Sequence, residues 1–197
     1  MIGIIEYGAG NIRSVSNALN RLSVQHFISN KHHELNKADK LIFPGVGEAR
    51  SAMDALTRVG LTDWLKEVSV PFLGICLGMQ LLFDRTTERS TDCLGVLIGT
   101  NERFNSEQSV LKVPHMGWNQ VQHKGNCSLF AGIAPGEHFY FVHSYYAPLV
   151  LATIGTTEYG VQFTSALQQK NYYGVQFHPE KSGRIGLQLL KNFVELC

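Results

Sequence analysis

Residues 70–83, Val70-Pro71-Phe72-Leu73-Gly74-Ile75-Cys76-Leu77-Gly78-Met79-Gln80-Leu81-Leu82-Phe83, decide how this chain is read. An apolar run leads into Gly74, a glycine-flanked turn follows at Cys76, and the remainder reads as a helix. Strand, sharp turn and helix in succession form the repeating unit of a parallel sheet covered on both faces.

The same alternation extends toward the N-terminus. Residues 1–6 (MIGIIE) read as a buried strand, YGAGN as a turn, and Asn11 as a helix cap. Ile12, Val15, Leu19 and Leu22 then recur at helical spacing, and 24–29 read as a second strand. The polar segment 31–38 reads as a loop or short helix. Residues 39–47 (DKLIFPGVG) run a strand into a Pro/Gly turn, and Met53, Leu56 and 61–67 carry helical patterns. Toward the C-terminus the runs SVLKVP, WNQVQ, HFYFVHSYYA, LATIGTT, SALQQ and YYGVQF between 109 and 177 predict antiparallel strands and hairpins. Ile185, Leu189, Phe193 and Leu196 predict a closing helix. The expectation is one α/β domain spanning 1–197, three-layered, with a mostly parallel central sheet flanked by helices and antiparallel hairpins in its C-terminal half.

Composition excludes several classes. The net charge is +1 and no Lys/Arg cluster occurs, which argues against a nucleic-acid partner. Cysteines stand at 76, 93, 127 and 197 without a C-x-x-C pair, so neither a metal site nor a disulfide framework is expected. MIGIIEY lacks a basic leader, and no apolar stretch reaches the roughly 18 residues a membrane span requires. A cytoplasmic chain with no membrane partner is expected. Charged residues are only 17% of the total, which suggests an apolar surface reserved for a partner.

Gly74-Ile75-Cys76-Leu77-Gly78 is the nucleophile-elbow pattern with cysteine as the nucleophile. The flanking glycines are expected to let the backbone turn hard enough to expose the thiol. A helix N-terminus favours the thiolate, and the Leu77 amide would point where an oxyanion forms. A second signal is Gly174-Val175-Gln176-Phe177-His178-Pro179-Glu180. In an extended chain positions 178 and 180 share a side, with Pro179 holding the backbone extended. Glu180 can then accept a ring N–H of His178 and leave the other nitrogen facing a nucleophile. Pro44-Gly45-Val46-Gly47 is a turn able to aim amides at an oxyanion, though it also fits an ordinary strand-to-loop turn.

The order PGVG, GICLGMQ, GVQFHPEKS resembles the class I (triad) glutamine amidotransferases, and YGAGNIRSV, VPHMGWN, YFVHSYY and HPEKSGRIGLQLLKNF extend the resemblance over residues 3–193. It implies a flavodoxin-like fold. It implies that Cys76 attacks the side-chain amide of glutamine, that His178 shuttles protons, and that Glu180 orients His178. The oxyanion hole would be the Leu77 N–H with that of Val46 or Gly47, after a rotation of the PGVG peptide that leaves the free chain poorly active. Gln80 matches a contact to the substrate amide, Glu88 one to its α-amino group, and the backbone of Ser144 and Tyr145 one to its α-carboxylate. No cofactor is implied.

Elbow, turn and His-Glu pair occupy 44–180, so the ammonia acceptor is expected on another polypeptide. The resemblance names a (β/α)₈-barrel cyclase subunit in a heterodimer serving histidine biosynthesis, or alternatively a related barrel synthase making an amino sugar. Asn11, Trp118, Tyr140 and Lys181 are the candidate interface residues, with buried aromatics the competing reading of Trp118 and Tyr140. Met79 and Leu81–Phe83 read as core. His115 and His143 read as packing near the site or the interface. A hydrolase of the same fold and a catalytically dead regulatory subunit remain the contrasting classes.

Overall fold

Phe72–Cys76 is buried at every position, as a strand covered on both faces must be. The computed structural model describes residues 1–8, 10–105, 112–125 and 127–197. Thirteen strands are described: β1 Ile2–Ile5, β2 His26–Ser29, β3 Lys40–Gly45, β4 Phe72–Cys76, β5 Phe83–Thr86, β6 Thr91–Asp92, β7 Leu97–Arg103, β8 His115–His123, β9 Glu137–His143, β10 Tyr145–Tyr146, β11 Thr153–Glu158, β12 Gln162–Gln169 and β13 Tyr172–Val175. The helices are α1 Ile12–Arg21, α2 His32–Leu35, α3 Ala49–Arg58, α4 Thr62–Lys66, α5 Leu77–Gln80 and α6 Gly183–Leu196.

Nine strands form one sheet in the order β2-β1-β3-β4-β13-β12-β11-β8-β9, and β10-β7-β5-β6 form a smaller one. Pairings from β2 through β13 are parallel, and those from β13 to β9 are antiparallel. The parallel half follows from the alternation of strands and helices in the first half of the sequence, and the antiparallel half from its hairpins. Adjacent strand residues point to opposite sides, so Ile4, Ile42 and Leu73 join one core with Val15, Leu19 and Leu189. Ile5, Phe43 and Phe72 join the other with Ala52, Leu56 and Leu65. The chain is thus a mixed sheet between α1 and α6 on one face and α3 and α4 on the other.

Three expectations change. Asn11 stands at the N-terminus of α1, but its side chain makes no capping hydrogen bond. The helix after Cys76 is a single turn, because Leu81 and Leu82 lead directly into β5 of the small sheet. Met79 and Leu81–Phe83 are fully buried, as a core reading requires. The predicted strand SVLKVP falls partly outside the described residues, and Lys112–Pro114 are not in a strand.

Candidate active site

Cys76 ends β4 and precedes the first residue of α5, with φ 55° and ψ −111°. A non-glycine residue there is strained, and such strain recurs at functional sites. The motif glycines serve a purpose other than the expected one. Gly74 and Gly78 do not have positive φ; the cysteine takes the unusual conformation itself. A Cβ on Gly78 would lie 2.0 Å from the Phe43 carbonyl oxygen, and one on Gly74 would lie 2.7 Å from the Gly78 carbonyl oxygen. Gly45, in register with Cys76 on β3, would place a Cβ 2.4 Å from the Gly78 amide nitrogen. The glycines let α5 pack against β3 and β4 at backbone contact, which holds the elbow in place.

His178 follows β13, but the expected extended His-Pro-Glu segment is replaced by a single 3₁₀ turn at Pro179–Lys181. A proline at the first position of a helical turn fits its fixed φ. This turn, rather than strand alternation, carries Glu180 back to His178, whose Nδ1 lies 2.9 Å from Glu180 Oε1. Both side chains are 1% exposed. Nδ1 faces a carboxylate, so Nε2 is the nitrogen left for the cavity.

Cys76, Leu77, Val46, Gly47, Gln80, Glu88, Ser144, Tyr145 and His178 all line one cavity of about 320 Å³. A larger one of about 430 Å³, among Gln122, His123, Cys127, Phe130 and Gln168, holds none of these residues. Burial opposes a charge on His178, but the Cys76 charge and hydrogen bonding with Cys76 and Glu180 outweigh it, so the imidazole is pushed up to about 10. Those contacts favour the protonated, imidazolium form of His178. Cys93, by contrast, is pushed up to about 12 by burial and by Asp92 and Glu88, which favours the neutral thiol.

Gln80 sits at the cavity wall with Nε2 donating to the Tyr145 carbonyl at 2.7 Å and to Gln176 Oε1 at 2.8 Å. Glu88 Oε2 accepts the amide of Ala49, the first residue of α3, at 2.8 Å, where a helix N-terminus favours a carboxylate. Gly47 has φ 95° and open space around it, and Val46 is exposed.

Sequence reasoning missed Gln176, Val142 and Ser182. Gln176 Nε2 lies 3.7 Å from Cys76 Sγ, and the thiol lies 3.9 Å from the Val142 carbonyl. The signal for Gln176 was present in the sequence, since in an extended chain positions 176 and 178 fall on one side. Ser182 Oγ donates to the His178 carbonyl at 2.6 Å and accepts the Tyr140 amide at 3.0 Å.

Trp118 is 57% exposed and Met116 62% exposed, which removes the buried-aromatic reading of Trp118. Tyr140 is half-buried and meets Trp118 edge-on at 6.1 Å, and Lys181 Nζ lies 5.9 Å from the Tyr140 ring centroid. Asn11 is half-buried and follows Gly10, which packs against the Pro44 carbonyl.

A cysteine on a strained strand-to-helix turn, beside a buried histidine-carboxylate pair, marks the nucleophilic amidohydrolases of the α/β class. Residues 4–197 match the family described as "Glutamine amidotransferase class-I", and the chain belongs to that family. It is 48% identical to the "Imidazole glycerol phosphate synthase subunit HisH" of Maridesulfovibrio salexigens, over 100% of this chain and 97% of that protein. The protein of the same name from Methanocaldococcus jannaschii is 47% identical, over 100% of both chains. Among solved structures, one described as "Crystal structure of glutamine amidotransferase" superposes with a TM-score of 0.74 at 20% identity, covering 98% of each chain, a likeness of fold.

Proposed function

We propose that this chain is the glutaminase subunit of an imidazole glycerol phosphate synthase, hydrolysing glutamine to glutamate and ammonia for histidine biosynthesis. The observation that carries this reading is that strained Cys76 and His178 line one cavity while buried Glu180 holds the far side of the His178 ring. The Cys76 thiolate attacks the side-chain carboxamide carbon. The oxyanion is held by the Leu77 N–H and by one from Val46 or Gly47. His178 gives its Nε2 proton to the departing nitrogen, ammonia leaves, and a glutamyl thioester remains. Water then attacks the thioester, His178 takes its proton, and glutamate departs with the thiolate restored. Glu180 holds the tautomer. Gln80 and Glu88 face the substrate's amide and α-amino ends, and the Ser144–Tyr145 backbone faces its carboxylate.

The ammonia passes to a (β/α)₈-barrel cyclase subunit docked on the face carrying Asn11, Trp118, Tyr140 and Lys181. The heterodimer works in the cytoplasm, a setting in keeping with four free thiols. No helix among the described residues is long and apolar enough to cross a membrane. The 1–197 span acts as one amidotransferase domain. Full-length similarity to proteins named as imidazole glycerol phosphate synthase subunits favours this route over an amino-sugar synthase.

The test is Cys76→Ser in the assembled complex. Glutamine-dependent synthesis is expected to vanish while synthesis from added ammonia persists. Glutamine-dependent turnover surviving in that variant would overturn the reading.

A further inference from the structure

A buried chain of donors runs from the outer strands to the cavity wall and uses two histidines that the chemistry above leaves idle. Asn119 Nδ2 contacts His115 Nε2 at 3.2 Å, His115 Nδ1 contacts His143 Nε2 at 3.0 Å, and His143 Nδ1 contacts the Tyr145 carbonyl at 2.7 Å. The cross-strand register of β8 and β9 sets this pairing, with His115 directly opposite His143.

The acceptor at the end fixes every proton. A carbonyl can only accept, so His143 carries its proton on Nδ1. Burial pushes His143 down to about 3 and His115 down to about 4, so both rings are neutral. His143 Nε2 therefore offers a lone pair, and His115 must present Nδ1–H. His115 Nε2 is then an acceptor, matched by the Asn119 amide. That amide spends its second proton on the Glu158 carbonyl at 3.0 Å, and Asn119 Oδ1 accepts the Gln120 amide at 2.8 Å. Aromatic rings lock the geometry: Tyr159 stacks on His115 at 4.0 Å and Phe141 at 4.9 Å.

The chain terminates on the segment that lines the glutamine cavity. The Tyr145 carbonyl takes His143 on one side and Gln80 on the other, while the Ser144 carbonyl accepts the Phe104 amide at 3.0 Å. Both carbonyls of Ser144–Tyr145 are thereby tied back, which fixes the planes of the peptides at the cavity wall.

We propose that His115 and His143 are positioning residues for substrate recognition, a neutral pair locked as two Nδ1–H tautomers that holds the Ser144–Tyr145 backbone in its glutamine-binding shape. This rests on the glutaminase reading above.

The experiment uses the chain assembled with its cyclase partner. His115→Phe keeps the stacked ring and removes the donor; His115→Asn restores a donor near the Nδ1 position. His115→Phe is expected to raise KM for glutamine about tenfold with kcat within about twofold. His115→Asn should recover most of that loss. Iodoacetamide alkylation of Cys76 should proceed at the wild-type rate in both. Side-chain ¹⁵N NMR of the wild type should show both histidines as Nδ1–H tautomers at neutral pH. An unchanged KM in His115→Phe, equal losses in Phe and Asn variants, or an Nε2–H tautomer at His143 would overturn the proposal. A wild-type complex without glutaminase activity would instead defeat the underlying functional reading.

Discussion

The His178 amide donates to the Tyr140 carbonyl at 2.8 Å, so a residue on the candidate docking face is bonded main chain to main chain with the histidine beside Cys76. Ser182 closes the clamp through the His178 carbonyl and the Tyr140 amide. Movement of β9 cannot leave His178 undisturbed.

Ser182→Ala tests this linkage. The Tyr140 amide loses a buried partner, at a cost of about 1–3 kcal/mol in folding free energy. Denaturant melts of the free chain measure that cost. In the assembled complex glutaminase kcat should fall while ammonia-dependent synthesis holds, and equal loss of both would contradict the clamp.

Glu180→Gln should lower glutaminase kcat by roughly a thousandfold, because the amide cannot stabilise imidazolium and can select the wrong tautomer. Steady-state kinetics with glutamine and with ammonia separate this from a folding defect, since only the glutamine-driven rate should drop.

The pH dependence has a definite sign. His178 rises from its ordinary 6.5 to about 10 in the folded chain. A raised folded value means that protonation favours the native state. Its contribution is complete below pH 6.5 and is lost as pH rises through about 10. Cys76→Ala removes the neighbour whose charge and hydrogen bond oppose the burial penalty on His178. The His178 titration, followed by NMR, should move down, and the alkaline loss of stability should shrink. Identical titrations in both chains would rule out this coupling.

Two glycine substitutions should separate packing from conformation. Gly78→Ala drives a methyl into the Phe43 carbonyl and should cost about 3 kcal/mol or prevent folding. Gly47→Ala meets open space, so its cost is limited to the strain of φ 95°, about 1–2 kcal/mol. Thermal melts distinguish them, and a Gly78→Ala chain as stable as Gly47→Ala would refute the packing argument.

Trp118→Ala should leave free-chain stability within about 0.5 kcal/mol, because the side chain is largely exposed. It should weaken binding of the cyclase subunit by about 2 kcal/mol if Trp118 anchors the interface. Calorimetric titration of the two subunits measures this directly.

The parts legible in the sequence are those whose chemistry is local. Gly74–Gly78 announces an elbow because backbone contact and nucleophile occupy five adjacent positions. His178 and Glu180 are legible because a histidine and a carboxylate two residues apart meet by either of two backbone routes, although the chain takes the 3₁₀ route. The single-turn α5 was not legible, since an apolar run such as Leu81–Phe83 suits a buried strand as well as a helix. The His115–His143 contact and the Ser182 clamp depend on strand register and on how a distant turn meets β9, which alternation alone does not specify.

β9 lies at the border of the nine-stranded sheet. A bare border strand invites pairing with foreign chains. Here Tyr140 turns both of its main-chain groups outward, and residues 178–182 occupy them. Residues 178–182 therefore shield this point of the border strand from pairing with another chain. Changes that loosen them would cost solubility along with turnover.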